Sequence, residues 1–189
     1  FELLAADMPA RAESPDPDSA FWHWADKVAP KLGRLPGRAA QAHDASHPAI
    51  AVNLDACIAC NLCERACREV QVNDVIGMAY RGAHARPVFD QNDPMGLSTC
   101  VACGECVEAC PTGALFEKSL MDAGARRRTV VADSTVNTVC PYCGVGCQTV
   151  VHVRADRIVA VDGRDGPANQ GRLCVKGRFG FDYIHHPHR

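Results

Sequence analysis

Apolar positions along this chain fall in short runs, each cut off before it can build a long element. FELLAADM at 1–8 has helical spacing and stops at Pro9, where a fixed φ and a missing N–H end a helix. Positions 18–29, DSAFWHWADKVA, predict a second helix with Asp18 or Ser19 as N-cap. Trp22 and Trp24 on it suit the buried face of a short helix; a docking patch is the other reading. Periodicity then disappears. Positions 30–49 are rich in Pro, Gly and Ala, as in a linker lying along a surface. A second linker is predicted over 119–135, where Arg126, Arg127 and Arg128 form a solvated charge run or meet an acidic partner. Near the end the period becomes two. QTVVHVRADRIVAVDGR predicts a β-hairpin, turning near Ala155 and Asp156 into the return strand IVAVDG.

Composition sharpens this picture. The apolar fraction is 47% of 189 residues, but that counts 12 cysteines; without them it is about 41%, with only 11 aromatics. Such a chain is thin for one large core and suits small modules held by something besides packing. The 20 basic and 22 acidic residues leave a formal charge of −2, which argues against a nucleic-acid surface. No apolar run approaches the roughly 18–20 residues of a membrane span. The opening stretch has early acids and neither a basic n-region nor a long apolar core, so it does not read as a signal peptide. Opening on Phe1 and stopping at IHHPHR, the sequence reads as a piece of something longer.

The cysteines carry the chemistry. They stand at 57, 60, 63 and 67, at 100, 103, 106 and 110, and at 140, 143, 147 and 174. The first two groups share the spacing C-x2-C-x2-C-x3-C, offset by 43 residues, and CIACNLCERAC is echoed by CVACGECVEACP. That is a duplicated unit. Disulfides belong to oxidising compartments, to which nothing here points. Zinc usually takes pairs of cysteines from two separate knuckles. The run C-x2-C-x2-C-x3-C-P is instead the bacterial iron–sulfur signature, in which the fourth cysteine serves the other cluster. A short loop can wrap three corners of a cube while its N–H groups face the sulfurs.

On these residues, about 50–118 resembles the two-cluster [4Fe–4S] ferredoxin family. The resemblance implies one cluster on Cys57, Cys60, Cys63 and Cys110, and another on Cys100, Cys103, Cys106 and Cys67. The second motif is intact through Pro111 and TGAL, the usual turn into a strand. The first departs from the family: Arg68 replaces the proline, and the insertion REVQVNDVIGMAYRGAHARPVF follows.

The third group, C-x2-C-x3-C-x26-C, is a separate module. CPYC alone would fit a thiol–disulfide site, which needs a helix N-terminus within a βαβ frame; two glycines, a third cysteine and a hairpin follow instead. Zinc and a third cluster remain, and Gly144 and Gly146 would let the backbone approach a cluster closely. VCPYCGVGCQ…GRLCVKGRFG, within 136–189, resembles the iron–sulfur domain of molybdopterin-dependent oxidoreductases. Its flanks favour formate dehydrogenases over periplasmic nitrate reductases and the large iron–sulfur subunit of complex I. The resemblance implies a cluster on Cys140, Cys143, Cys147 and Cys174, with Lys176 between that cluster and a pterin.

The fold expected is α+β. It comprises an N-terminal extension and linker (1–49), a ferredoxin-like domain (50–118), a linker (119–135) and a small β-rich cluster domain (136–189). By resemblance to the α subunit of soluble NAD-dependent formate dehydrogenases, three [4Fe–4S] clusters would carry electrons from formate. The source would be a molybdenum or tungsten bis-pterin guanine dinucleotide in a downstream domain of the same subunit. The electrons would leave for [2Fe–2S] and flavin/NAD-binding subunits, and the location implied is cytoplasmic. The competing class is a free polyferredoxin carrier, which has no need of a pterin-facing module. His185, His186 and His188 suit surface or cofactor contacts better than a metal site. His43 and His47 would need three unassigned cysteines to ligate a cluster, and none is left.

Overall fold

A computed structural model describes residues 1–121 and 132–188. Arg126, Arg127 and Arg128, with most of the second predicted linker, lie outside the described residues. The first helix, α1 (Glu2–Ala6), ends just before Pro9, and α2 (Ala20–Val28) starts after Ser19. Phe21, Trp22 and Ala25 share the buried face of α2. Trp24, two positions on from Trp22, falls on the opposite face; it is 54% exposed, with the Lys27 ammonium 4.7 Å from its ring. The Trp pair is therefore split, one in the core and one in solvent. Phe21 donates its N–H to the Pro111 carbonyl at 2.9 Å, so the extension docks on this chain next to Cys110.

By contacts the chain forms two units. The first comprises Phe1–Cys100 and Cys106–Thr129. Its sheet is β1 (His43–Asp44), β2 (Ile50–Asn53) and β5 (Leu115–Glu117), antiparallel in the order β1-β2-β5. Every residue of β2 and β5 is buried, so these strands lack the alternation of a half-exposed sheet. The predicted linker over 30–49 thus ends in a strand, because β2 has an open edge that His43 and Asp44 pair with. The insertion after Cys67 is a second hairpin, β3 (Ile76–Ala79) with β4 (Arg86–Phe89). Its inward residues Ile76 and Phe89 are 3% and 5% exposed. Two short helices carry cysteines: α3 (Leu62–Arg65), which runs into a π-helical turn over Ala66–Val70, and α4 (Glu105–Ala109).

The second unit comprises Val101–Glu105 and Val130–Arg189. The predicted hairpin is β7 (Gln148–Arg154) and β8 (Arg157–Gly163). Ala155 and Asp156 both have positive φ, as a two-residue hairpin turn demands. A third strand, β6 (Ser134–Val139), pairs with β7 although all six of its side chains are exposed. Helix α5 (Val175–Phe179) follows Cys174. Val161, Leu173 and Phe181 form the core, with Val151, Ile158 and Ile184 packed against it.

Candidate functional site

Strand pairing in the first unit sets where its cysteines meet. Val52 of β2 is in register with Leu115 of β5. Five residues beyond the one and five before the other, Cys57 and Cys110 therefore leave the sheet at the same end. There Cys57, Cys60, Cys63 and Cys110 line one cavity with Leu54, Ile58, Met78, Pro87 and Leu115. Three thiols of one motif and the last thiol of the other share an apolar cradle.

The duplicated sequence is duplicated in backbone. Ala59 and Ala102, 43 residues apart, have φ of 51° and 57°; Asn61 and Gly104, also 43 apart, have 63° and 79°. Left-handed conformation costs a residue with a Cβ roughly 1–2 kcal/mol, a penalty Gly104 escapes, yet both loops adopt it twice; in the first loop it turns an N–H toward a thiol. Ala59 donates to Cys57 Sγ at 3.4 Å. The Thr112 hydroxyl lies 3.6 Å from Cys110 Sγ.

Burial makes these thiols hard to ionise unaided. Cys57 and Cys60 are pushed above the ordinary thiol range by burial, partly relieved by backbone hydrogen bonds. Cys63 is pushed up to about 12, by burial first and then by the nearby charges of Cys110, Cys57 and Cys60. A metal centre reverses this penalty, because a coordinating thiol is deprotonated outright. An all-thiolate donor set is soft, as iron–sulfur clusters require. Among the described residues no three Cys, His, Asp or Glu side chains converge on a point for a single ion; the four thiols stand around a cavity instead.

The remaining cysteines of the duplicated motifs are placed by their own elements. Cys67 is buried in the π-helical turn and accepts the Val75 N–H at 3.3 Å. Cys100 donates its N–H to Ser98 Oγ at 3.4 Å, Cys103 is half-buried, and Cys106 is buried in α4. The π-helical turn carries the chain past Cys67 where the sequence has Arg68 instead of proline. Arg68 points away and pairs with Glu64 at 3.0 Å and Asp74 at 2.8 Å.

In the second unit, the Cys140 N–H donates to the Cys147 carbonyl at 2.8 Å. This pinches the β6–β7 connection into a loop holding Cys140, Cys143 and Cys147. Gly146 in it has φ of 69°. Cys174 arrives from the far side of β8. Its loop is tied down by Asn169, whose Nδ2 donates to the carbonyls of Gln148, Arg164 and Arg172 while its Oδ1 accepts the Gln148 N–H. A Cβ on Gly177 of α5 would lie 3.7 Å from Cys140 Sγ. Cys147 is raised by burial and then by the charges of Cys140, Cys143 and Cys174, so the thiols of this quartet lie close to one another. Lys176 is exposed on α5, two residues past Cys174.

The histidines have structural duties. His185 Nε2 accepts the Ile158 N–H at 2.9 Å, which occupies that nitrogen. His47 is 4% exposed and its Nδ1 accepts the N–H groups of Ala49 and Ile50. His43 faces Asp55 at 3.4 Å. One contributor escaped sequence reasoning: Arg38, whose guanidinium donates to carbonyls of the Cys57 loop. It lies in an aperiodic stretch that offers no signal for such a contact.

Comparison with known proteins agrees with this geometry. Residues 56–114 match a 4Fe-4S dicluster domain, and residues 133–186 match the molybdopterin oxidoreductase Fe4S4 domain. The chain is 37% identical over 142 residues to the NADPH-Fe(3+) oxidoreductase subunit alpha of Geobacter sulfurreducens, covering 75% of this chain and 16% of that protein. It is 29% identical over 181 residues to "Putative formate dehydrogenase YrhE" of Bacillus subtilis, covering 77% and 18%. It is 30% identical over 182 residues to "Probable oxidoreductase YjgC" of the same organism, with the same coverage. The chain thus spans less than a fifth of each of these relatives. A chain of an NAD+-reducing [NiFe]-hydrogenase in the H2-reduced state shares the fold at TM-score 0.52 and 22% identity, over 62% of this chain and 51% of that one. No helix among the described residues is long and apolar enough to cross a membrane. With both cysteine-rich domains matched in this order, the chain carries the iron–sulfur domain of the molybdopterin oxidoreductases behind a 4Fe-4S dicluster domain.

Proposed function

We propose that this chain is the electron relay of a formate dehydrogenase-type enzyme and holds three [4Fe–4S] clusters. Cys57, Cys60, Cys63 and Cys110 would hold the first, Cys67, Cys100, Cys103 and Cys106 the second, and Cys140, Cys143, Cys147 and Cys174 the third. The observation that carries the reading is the shared cavity of Cys57, Cys60, Cys63 and Cys110, a set no linear stretch of sequence contains. When bound, such clusters pass single electrons. The chain's own work is to hold the thiols at cube spacing, to turn N–H groups toward them and to keep water away with Leu54, Ile58 and Met78.

In this reading Lys176 lies toward a molybdenum or tungsten pterin in the downstream domain, and an ammonium there offsets negative charge on both sides. Formate is the electron source and a flavin/NAD subunit in the cytoplasm the sink; the name of the Bacillus subtilis protein supports formate, and that of the hydrogenase supports NAD. A second reading draws support from the Geobacter relative, whose name couples NADPH to ferric iron: the same relay would then run from NADPH.

The test uses the full-length protein purified without air. It should hold about twelve iron atoms in this region per chain, and formate should bleach their visible absorbance. Bleaching by NADPH alone would favour the second reading. Iron near eight with bound zinc would remove the third cluster.

A further inference from the structure

Arg38 lies outside every cysteine motif, in the stretch rich in Pro, Gly and Ala. Its side chain nevertheless reaches the loop that presents Cys57. Nη2 donates to the carbonyl of Leu54 at 2.6 Å and to that of Cys57, with the Asp55 carbonyl at 3.5 Å. The Nε atom is fully buried. The backbone that carries Arg38 is held on both sides. Its own N–H donates to Asp7 Oδ1 at 3.1 Å, and three residues later the Gln41 N–H donates to Asp55 Oδ1 at 2.5 Å. Gly37 lies so close to Ala6 that a Cβ there would clash with the Ala6 carbonyl. The extension is thus pressed against the cysteine loop, and Arg38 is its point of entry.

We propose that Arg38 is an outer-sphere positioning residue for the cluster held by Cys57, Cys60, Cys63 and Cys110, clamping the Cys57 loop and raising the potential of that cluster. The proposal rests on the ligand reading given above. Every partner of the guanidinium among the described residues is a neutral carbonyl, so its positive charge is not cancelled by an ion pair there. A four-thiolate cluster becomes more negative when it accepts an electron. A fixed cation beside one ligand loop therefore favours the reduced form, and more so where burial limits screening. Arginine fits this place because its rigid, planar guanidinium brings one nitrogen, Nη2, onto carbonyls three residues apart while keeping its charge at any working pH. The N-terminal extension would then act as part of the relay and not only as a tether.

The experiment is an anaerobic redox titration of the full chain, followed by electron paramagnetic resonance of the cluster whose signal Cys60→Ala abolishes. At the wild-type midpoint, Arg38→Gln should lower the reduced-to-oxidised ratio of that cluster about tenfold, which is 59 mV for a one-electron couple. Arg38→Lys, which keeps the charge, should stay within about threefold. The signals of the other clusters should not move. An Arg38→Gln protein with normal iron and an unchanged midpoint overturns the proposal. So does an Arg38→Lys protein that loses the cluster, or keeps it with the full downward shift, since either makes the contact purely mechanical. Loss of the cluster in Arg38→Gln, with Arg38→Lys intact in iron and midpoint, supports the proposal. If Cys60→Ala abolishes no signal, the ligand reading fails instead, and the two failures are told apart.

Discussion

Asn169→Ala should unhinge the second cysteine-rich unit. The Asn169 amide donates to the carbonyls of Gln148 at 3.1 Å, Arg164 at 3.2 Å and Arg172 at 3.0 Å, and accepts the Gln148 N–H at 2.9 Å. Gln148 follows Cys147 and Arg172 stands two residues before Cys174, so one side chain sets the spacing of two cysteines that are distant in sequence. Net contributions per hydrogen bond run about 0.5–1.5 kcal/mol. The Arg164 carbonyl is exposed and regains water, and the Gln148 carbonyl keeps the Arg164 N–H at 2.9 Å, whereas the half-buried Gln148 N–H regains little. The truncation therefore costs about 2–3 kcal/mol. With a urea slope of about 1–2 kcal/mol/M for a unit of this size, the midpoint should fall by about 1–3 M. The assay is urea unfolding of the cluster-loaded chain, read by visible absorbance and circular dichroism together, and the third quartet should lose its iron first. Asn169→Asp separates bonding from bulk: it keeps the shape and the acceptor but turns a negative oxygen toward three carbonyls, so it should be at least as damaging as alanine. A midpoint that moves by less than about 0.3 M on Asn169→Ala, or an aspartate tolerated better than alanine, refutes the reasoning.

Two further outcomes follow from backbone packing and from thiol burial. Gly163→Ala drives a Cβ into the Gly171 carbonyl oxygen, backbone against backbone with no side chain to yield. It should destabilise the second unit by at least about 2 kcal/mol, and a thermal melt matching wild type would disprove the clash. For the cluster-free chain, Cys63 is raised to about 12 from an ordinary value of 9.0. The folded state thus holds that proton more tightly than the unfolded one. Stability is fully present below pH 9 and is lost as pH climbs toward 12; Cys63→Ala should flatten that alkaline slope in chemical denaturation, and an unchanged slope would show that Cys63 is not its source.

Much of the local structure is legible in the residues. Pro9 stops α1, Ser19 opens α2, and the alternating stretch from Gln148 to Gly163 turns where Ala155 and Asp156 take positive φ. These features depend on near neighbours, so periodicity and turn chemistry reach them. The cysteine spacing likewise settles the chemical class, because three thiols in seven residues crowd one loop whatever surrounds it. Strands β1 and β6 are different. His43–Asp44 offers two residues, and Ser134–Val139 exposes every side chain; both exist because a neighbouring strand has free N–H and C=O groups to satisfy. A hydrophobic pattern carries no record of that demand.

The sequence by itself determined the cysteine inventory, the duplicated loop and the order of the two domains. Their chemistry is written in residue type and spacing. Resemblance implied that Cys110 joins Cys57, Cys60 and Cys63; what brings these thiols together lies only in the tertiary structure. The register of Val52 with Leu115 carries Cys110 to the cavity of Cys57, Cys60 and Cys63. Burial of Phe21 and Trp22 fastens the extension to the Pro111 turn, and the same extension brings Arg38 onto the Cys57 loop. Each of these depends on residues far apart in the chain closing on one another, and long-range contacts of that kind follow from the packing of the whole unit and not from any local run of residues.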